Sequence, residues 1–395
     1  MLNPSATLRA EKTPYASNSE FSELLDELKK RSEEFEQQRY ISDDIISRFK
    51  QAGVYRALVP TQYGGDEISP AEFCQLIETI ATADGSAGWV ASFGMNPFYL
   101  GGLPLSTLDE IYRHGPDVVF AGGIFPPQKA IAQDGGFQVS GRWSFVSGRW
   151  SFASGCTGAE LIGVGILPDD GSARPLPRIA VLPADRFTID PVWNTVGLAG
   201  TGSHDVVLKE AFVPQEWTFI RGGELSLEGA LYRYPVLSLA TQVLSVVALG
   251  IARAALAEIY AIAERQSSVT GAPCLADRQF AQMDIAHCEA ELRSARCWFY
   301  DAIDDVWQVI LRGDEPDAGM INALRLSSTH VTRVSSSVTT RALRLAGMPG
   351  ITMRSPLQRY ARDTMVITQH AFMGELTYIN AGNMFFGHPP LPGYL

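Results

Sequence analysis

The sequence predicts an α+β fold in three consecutive parts: an N-terminal helical domain (residues 1–117), a central β-barrel or β-sandwich domain (118–224) and a C-terminal four-helix bundle (225–395). Apolar residues recur at helical spacing in the first and last parts, whereas glycine, proline and β-branched residues are frequent in the part between them. A chain of 395 residues with 46% hydrophobic and 19% charged side chains is long enough for two or three domains.

The N-terminal part begins with a polar segment, residues 1–18, and continues with helices. The spacing of apolar side chains predicts helices within residues 20–51 and over residues 70–83. Residues 87–103 are mostly small and apolar, which predicts a buried helix.

Six strand-like segments are expected in the central domain, at residues 118–124, 128–133, 137–154, 161–167, 177–182 and 204–213. The third segment contains a tandem repeat, because Val-Ser-Gly-Arg-Trp-Ser-Phe occupies residues 139–145 and again residues 146–152. Side chains alternate between the two faces of a strand, so a shift of seven residues puts equivalent side chains on opposite faces. The two copies therefore cannot have the same role, and one is expected to be absorbed by a hairpin, a bulge or a loop.

The C-terminal part contains four long runs rich in alanine and leucine, at residues 238–266, 276–311, 318–346 and 357–380. Their spacing predicts long helices with apolar faces. Such helices pack against one another and often against another subunit, so a homo-oligomer, a dimer or a tetramer, is expected.

Composition excludes several classes of function. The net charge of −11 and the isoelectric point near 5.1 argue against a nucleic-acid partner or an anionic membrane surface. The five cysteines are odd in number and contain no Cys-x-x-Cys, which disfavours a disulfide framework and a zinc site; we expect no metal. With neither a signal-like N-terminus nor a run of 18 apolar residues, the sequence predicts a cytoplasmic protein without a membrane span.

Several short segments, taken in order, resemble one protein family. They are Gly-Arg-Trp-Ser-Phe-Ala-Ser-Gly at 148–155, Gly-Leu-Ala-Gly-Thr-Gly-Ser-His-Asp at 197–205, Glu264-Arg265, the glycine-rich residues 345–351, and Arg362-Asp363. In this order and spacing they resemble the acyl-CoA dehydrogenase fold over nearly the whole chain. The resemblance implies flavin binding, with the first segment against the flavin and Arg265 reaching the flavin phosphates of a neighbouring subunit. It also implies cofactor contacts from Thr201, Ser203, Gly347 and Gly350.

Two features resemble the oxygenase branch of this fold, the reduced-flavin-dependent monooxygenases of two-component systems. One is the Trp-Ser-Phe-x-Ser-Gly form of the strand. The other is His370, at the place where the dehydrogenases have a glutamate base. A histidine that titrates near neutrality suits deprotonation of a phenol or contact with a peroxide.

The resemblance then implies an oxygenase component that binds FADH2 or FMNH2, with FADH2 favoured, and hydroxylates an aromatic substrate with O2 through a flavin C4a-hydroperoxide. The sequence has no Gly-x-Gly-x-x-Gly loop opening a helix, so no bound nicotinamide is expected. A separate NAD(P)H-dependent flavin reductase is therefore implied as a partner.

The repeated heptapeptide offers two candidates for the serine that meets the flavin. A hydroxyl framed by aromatic side chains can hydrogen-bond flavin N5 and keep water out. Ser154 with Phe152 fits the family pattern downstream, whereas Ser147 with Phe145 keeps the link to the preceding strand. We favour Ser154, and the aromatic residues of at least one copy are expected to be ordinary strand core.

His370 is the candidate base or peroxide partner. Ser355 as N-cap and Pro356 at the first position predict a helix start, which places His370 about four turns into the helix on the face of Asp363 and Ile367. A lone histidine on an apolar face is more often a core residue than a catalyst. The positional match with the family is what makes it a candidate.

Asn96 is a third catalytic candidate. Many phenol-hydroxylating relatives have a second active-site histidine in the N-terminal helical block or first β segment, and residues 94–98 and 120–128 contain none. Asn96 is placed to take that hydrogen-bonding role. The missing histidine favours an indole or a larger fused aromatic over a simple phenol.

Two other functions remain as alternatives. The first is an acyl-CoA dehydrogenase-like flavin oxidoreductase, or an N- or S-oxygenase on the same fold. The second is a non-catalytic scaffold, which predicts no flavin binding; the aromatic and serine-rich strand and His370 argue against it.

Overall fold

The computed structural model describes residues 19–143, 153–169, 171, 175–264, 271 and 273–395. Helices precede the first strand, and long helices follow the last strand. The predicted α, β, α order is confirmed.

Between residue 19 and the first strand, the structure describes six helices: α1 (Ser19–Gln38), α2 (Asp43–Gln51), α3 (Pro70–Ala83), α4 (Gly85–Ala91), α5 (Pro97–Leu100) and α6 (Leu105–Ile111). Helix α3 begins with a capping box, in which the Ser69 hydroxyl accepts from the backbone N–H of Glu72 and the Glu72 carboxylate accepts from that of Ser69. Asp84 caps α4 by accepting from the backbone N–H of Ala87 at 2.8 Å.

The prediction of one continuous helix over residues 87–103 is wrong, because the segment contains two short helices. Helix α4 ends at Ala91, a 3₁₀ turn covers Ser92–Met95, and α5 begins at Pro97. Proline has no N–H to continue the helical ladder, which explains why a new helix starts there.

One seven-stranded sheet lies in the middle of the chain, made of β1 (Phe120–Gln133), β2 (Gly136–Trp143), β3 (Leu161–Asp169), β4 (Arg178–Pro183), β5 (Thr188–Asp190), β6 (Asp205–Pro214) and β7 (Thr218–Ile220). The strand order is β5-β6-β2-β1-β3-β4-β7; β1 and β3 are parallel, and the other neighbours are antiparallel. The short edge strands β5 and β7 were not predicted, because three residues carry too little periodicity.

The first copy of the heptapeptide contributes core to this sheet. Val139 and Trp143 are fully buried in β2, and the Trp143 Nε1–H donates to the Gly165 carbonyl of β3 at 2.9 Å. The prediction that aromatic residues of one copy are strand core is confirmed for Trp143. The predicted strand over 137–154 ends as β2 at Trp143, and residues 144–152 lie outside the described residues.

After the sheet, the described residues form five helices: α7 (Val236–Ala263), α8 (Gln279–Leu311), α9 (Ala318–Ala346), α10 (Pro356–Thr368) and α11 (Glu375–Phe385). Helix α7 is at the centre, packed against α3, α9 and α10. It is long and apolar enough to cross a membrane by length and composition, and 67% of its most apolar window is buried inside the fold. At Gly250, an added Cβ would lie 2.4 Å from the Glu78 carbonyl, so glycine allows α7 and α3 to approach closely.

The predicted helix over residues 357–380 is two helices. Ser355 and Pro356 start α10 as expected, but α10 ends at Thr368, a 3₁₀ turn covers Ala371–Met373, and α11 begins at Glu375. His370 adopts an extended backbone with ψ of 141° and caps the 3₁₀ turn. The placement of His370 four turns inside a helix is therefore wrong, because the backbone leaves the helical conformation before it.

Candidate active site

Three buried hydroxyl groups form a hydrogen-bonded chain beside the sheet. Ser154 Oγ lies 2.7 Å from Ser203 Oγ, and Ser203 Oγ lies 2.7 Å from Thr201 Oγ1. Thr201 Oγ1 donates to the Leu198 carbonyl at 2.9 Å. All three side chains are at most 2% exposed. The structure thus brings together three predicted site residues that are up to 49 positions apart in sequence.

The direction of these hydrogen bonds follows from counting protons. Each hydroxyl has one proton to donate and lone pairs to accept. Because a carbonyl only accepts, the Thr201 proton goes to Leu198, so Ser203 donates to Thr201 and Ser154 donates to Ser203. Ser154 Oγ therefore has its proton committed and is available to other groups as an acceptor.

Trp89 of α4 connects this chain to His370. Its Nε1–H donates to Ser154 Oγ at 3.3 Å, and its ring centroid is 5.8 Å from that of His370 in an edge-on arrangement. The predicted residues Ser154 and His370 thus both contact one indole ring. Sequence reasoning missed Trp89; the one signal was a large aromatic side chain just after the Asp84 cap, in an otherwise small-residue segment.

His370 lies just after the C-terminal end of α10, and its ring is neutral. Its Nδ1 accepts from the Phe372 backbone N–H at 3.3 Å, which assigns the proton of the neutral imidazole to Nε2. Burial, with the positive charge of Arg325 as a second cause, lowers the pKa of His370 to about 4. At neutral pH the ring is therefore a hydrogen-bond donor at Nε2 and a weak base.

A buried carboxyl group holds the loop that carries the hydroxyl chain. Asp363 Oδ1 of α10 accepts from the Leu198 backbone N–H at 2.6 Å, and Leu198 has a left-handed backbone with φ of 50°. A Cβ at Gly197 would lie 2.4 Å from the Arg362 carbonyl, so the loop is pressed against α10. Burial raises the pKa of Asp363 to about 7. The Arg362-Asp363 pair was noted in the sequence, but the role of Asp363 in positioning the loop was not foreseen.

Asn96 lies in the core of the N-terminal helical part. Its Nδ2–H donates to the Val118 carbonyl at 2.9 Å, and its Oδ1 accepts from the Tyr112 hydroxyl at 3.2 Å. Both ends of the amide are therefore engaged, and none of its described hydrogen bonds reaches Ser154 or His370. Its catalytic role stays a prediction.

The other predicted cofactor residues are placed as follows. Gly347 ends α9 with φ of 63°, and Gly350 lies in the 3₁₀ turn Met348–Ile351, so the glycine-rich turn is present. Their contact with a cofactor stays a prediction. Phe152, Ser147 and Arg265 lie outside the described residues.

A groove lined by arginine runs along α9 and reaches the end of α10. Its volume is about 480 Å³, and it is lined by Thr368 at the end of α10 and by Arg333, Arg341 and Arg344 of α9, with three small hydroxyl residues between them. Arg333 pairs with Glu375 and Arg341 with Glu291. Guanidinium groups in this arrangement suit phosphate oxygens.

Comparisons with known proteins identify the family. Residues 20–103 match the N-terminal domain model of the acyl-CoA dehydrogenases, and residues 242–375 match their C-terminal domain model. The indole-3-acetate monooxygenase of Pseudomonas putida is 55% identical over 382 residues, which are 96% of each chain. The chain belongs to the acyl-CoA dehydrogenase family.

Within this family, the chain is a flavin-dependent monooxygenase. The structure of the 3-HSA hydroxylase from Rhodococcus sp. RHA1 is 25% identical, with a TM-score of 0.88 over 96% of this chain and 100% of that one. XiaF from Streptomyces sp., solved with FADH2 and glycerol, is 21% identical, with a TM-score of 0.84 over 95% of this chain and 98% of that one, and so shows the same fold.

The hydroxyl chain of this acyl-CoA dehydrogenase family member fits a reduced flavin. The N5 atom of a reduced flavin carries a hydrogen and donates, and the proton count makes Ser154 Oγ an acceptor. Within the described part of the chain no cluster of three histidine, cysteine, aspartate or glutamate side chains is placed to hold a metal ion. The described side chains around Ser154 and His370 are hydroxyls, aromatic rings and one neutral imidazole.

Proposed function

We propose that this oxygenase hydroxylates an indole-type aromatic acid, with indole-3-acetate as the first substrate to test, using FADH2 and O2. The observation that carries the proposal is the contact of Trp89 with both the acceptor Ser154 and the neutral His370. The high identity to the indole-3-acetate monooxygenase supports the substrate class.

The residues of the chain have separate tasks in this proposal. Ser154 Oγ would accept a hydrogen bond from N5–H of the reduced flavin. The hydroxyls of Ser203 and Thr201 would hold Ser154 in position through their hydrogen bonds. When bound, the flavin supplies the activated oxygen. The Trp89 ring keeps water away from this region, since it is 4% exposed.

His370 is the group facing the substrate. Because its Nε2 carries the proton at neutral pH, it would donate a hydrogen bond to the oxygen being transferred or to the ring substituent. A base with a pKa near 4 is poorly suited to forming a phenolate. This agrees with an indole substrate, whose electron-rich ring needs no prior deprotonation.

The arginine-lined groove on α9 is proposed to hold the phosphates of the flavin. Arg344, which forms no ion pair within the described part of the chain, has its charge available for an anion. Arg265, Gly347 and Gly350 remain proposed cofactor residues on the family pattern.

We also propose a separate NAD(P)H-dependent flavin reductase, a cytoplasmic location and a homo-oligomer. Exposed apolar side chains on α11 support the last of these, including Leu376, Ile379 and Phe385, which are 58%, 54% and 73% exposed.

The test is a reaction of the purified enzyme with enzymatically reduced FAD, O2 and indole-3-acetate. We expect a product that gains one oxygen atom from O2, shown by isotope-labelled oxygen and mass spectrometry, and less hydrogen peroxide than in the absence of substrate. Release of all reducing equivalents as peroxide, with indole-3-acetate unchanged, would reject the proposal. Reduction of an electron acceptor by an acyl thioester would support the dehydrogenase-like alternative instead.

A further inference from the structure

Arg325 of α9 is a buried arginine without an acidic partner. Only 5% of the residue is exposed, and within the described part of the chain no aspartate or glutamate forms an ion pair with it. Burial lowers the pKa of Arg325 to about 10, so it remains positively charged at neutral pH. A buried charge of this kind is normally paired, which makes its isolation informative.

One side of the guanidinium is held by the protein. Nη1 donates to Thr241 Oγ1 of α7 at 2.9 Å and to the Leu237 carbonyl at 3.4 Å. The rings of Phe372 and Tyr394 each have their centroid 5.4 Å from Cζ. These contacts fix the position of the group and leave its charge unneutralised.

The opposite edge of the guanidinium has no hydrogen-bond partner among the residues that the structure describes. Nε is buried and has no hydrogen-bond partner, and Nη2 makes no hydrogen bond to the residues that the structure describes. Nε–H and the Nη2 amino group lie on the same edge, at the spacing of the two oxygens of a carboxylate.

A second unpaired donor lies on the neighbouring helix. Ser238 Oγ of α7 is buried and has no hydrogen-bond partner within the described ranges of the chain. Ser238 is three residues before Thr241, so the two lie on adjacent positions of one helical face, and Thr241 already contacts Arg325. One buried donor on Arg325 and one on the helical face that Arg325 contacts thus lack an acceptor, and an anionic group would satisfy both.

Phe372 connects this position to the active site. Its ring lies against Arg325 and also 4.8 Å, centroid to centroid, from the ring of His370. The charge of Arg325 is close enough to lower the pKa of His370. An aromatic acid with its ring near Trp89 and His370 would therefore have its carboxylate side towards Arg325.

We propose that Arg325 binds the carboxylate of the aromatic substrate and selects acids over neutral indoles. This inference rests on the proposed function, because it assigns a recognition residue to the same site. Arg325 contacts the substrate at its carboxylate and takes no part in oxygen transfer.

The test compares wild type with Arg325→Met and Arg325→Lys on indole-3-acetate and on its neutral analogue indole-3-acetamide. Loss of a charge-assisted contact of this kind changes binding by about 10- to 100-fold. We therefore expect Arg325→Met to raise the KM for the acid by about 10- to 100-fold with a change of less than about threefold for the amide, and Arg325→Lys to recover part of the loss. Arg312→Met, which removes an exposed arginine that pairs with Asp314, is the charge control.

Several outcomes would overturn the inference. An unchanged KM for the acid in Arg325→Met would place the carboxylate elsewhere, and an equal loss for acid and amide would indicate a purely structural role. If wild type oxidises neither compound, the proposed function fails. Calorimetric titration of the same proteins with indole-3-acetate and phenylacetate then still tests Arg325, since binding that does not depend on Arg325 would reject the inference.

Discussion

At the scale of single residues, Trp89 is the connection between the two parts of the site. The sequence identified Ser154 and His370 from a family pattern, yet it gave no indication that an indole ring on α4 contacts both. The turn that carries Ser154 and the turn that carries His370 are far apart in the chain, and only tertiary packing brings α4 between them.

Removing the indole N–H of Trp89 should weaken this connection. We expect Trp89→Phe to lower the product formed per flavin oxidised by about fivefold, since one hydrogen bond contributes about 1 kcal/mol. The measurement is the ratio of hydroxylated product to hydrogen peroxide. Trp298→Phe is the matched control, because Trp298 also lies beside a histidine ring, His330, at 5.6 Å. Equal uncoupling in both variants would contradict this role.

The low pKa of His370 makes a prediction about pH. Its folded-state pKa of about 4 lies below the ordinary 6.5, so the unfolded chain binds a proton between these values and the folded chain does not. The contribution of the neutral His370 ring to the free energy of unfolding is therefore complete above pH 6.5 and is lost as pH falls towards 4. Denaturant unfolding of wild type and His370→Phe should show a difference in the free energy of unfolding that changes across this window. A difference that is constant with pH would contradict the lowered pKa of His370.

At the scale of elements, the loop at 197–203 is positioned by α10. The loop depends on Asp363, whose carboxyl accepts from Leu198, and on Gly197, which allows the backbone of α10 to approach. A pattern of apolar spacing does not report such a contact. The capping residues Ser355 and Pro356 predicted the start of α10 correctly. Its end was not predicted, because His370 leaves the helix to cap the next turn.

Asp363 offers a test of this contact. Its raised pKa of about 7 means that the folded protein holds a proton that the unfolded chain has lost, so its contribution to stability falls as pH rises from about 4 through 7. Asp363→Asn keeps an acceptor for Leu198 and avoids burying a charge. We therefore expect its melting temperature, relative to wild type, to rise between pH 5 and pH 8. Asp363→Ala, which loses the acceptor, should be destabilised at both pH values; a pH-independent effect of Asp363→Asn would contradict the assignment.

At the scale of the whole molecule, the exposed apolar face of α11 bears on the expected homo-oligomer. Ile379→Asp places a charge in the centre of that face, whereas Ile131→Asp, on β1, changes a residue of similar exposure far from α11 in sequence. Light scattering should show dissociation of the first variant and an unchanged mass for the second. A monomeric wild type would reject the homo-oligomer.

The sequence by itself determined the order of helical, sheet and helical parts, the long helices α8 and α9, and, through its resemblance to a family, the class of flavin-dependent monooxygenase. These follow from local periodicity, capping residues and short motifs, each of which is written within a few neighbouring positions. The tertiary structure decided the contacts between these parts. Trp89 contacts Ser154 and His370, and Asp363 binds the backbone of the loop at 197–203. Arg325 is buried, and its Nε has no hydrogen-bond partner among the described residues. These contacts join residues separated by tens to hundreds of positions, and they depend on how helices pack on a sheet, which no local pattern records.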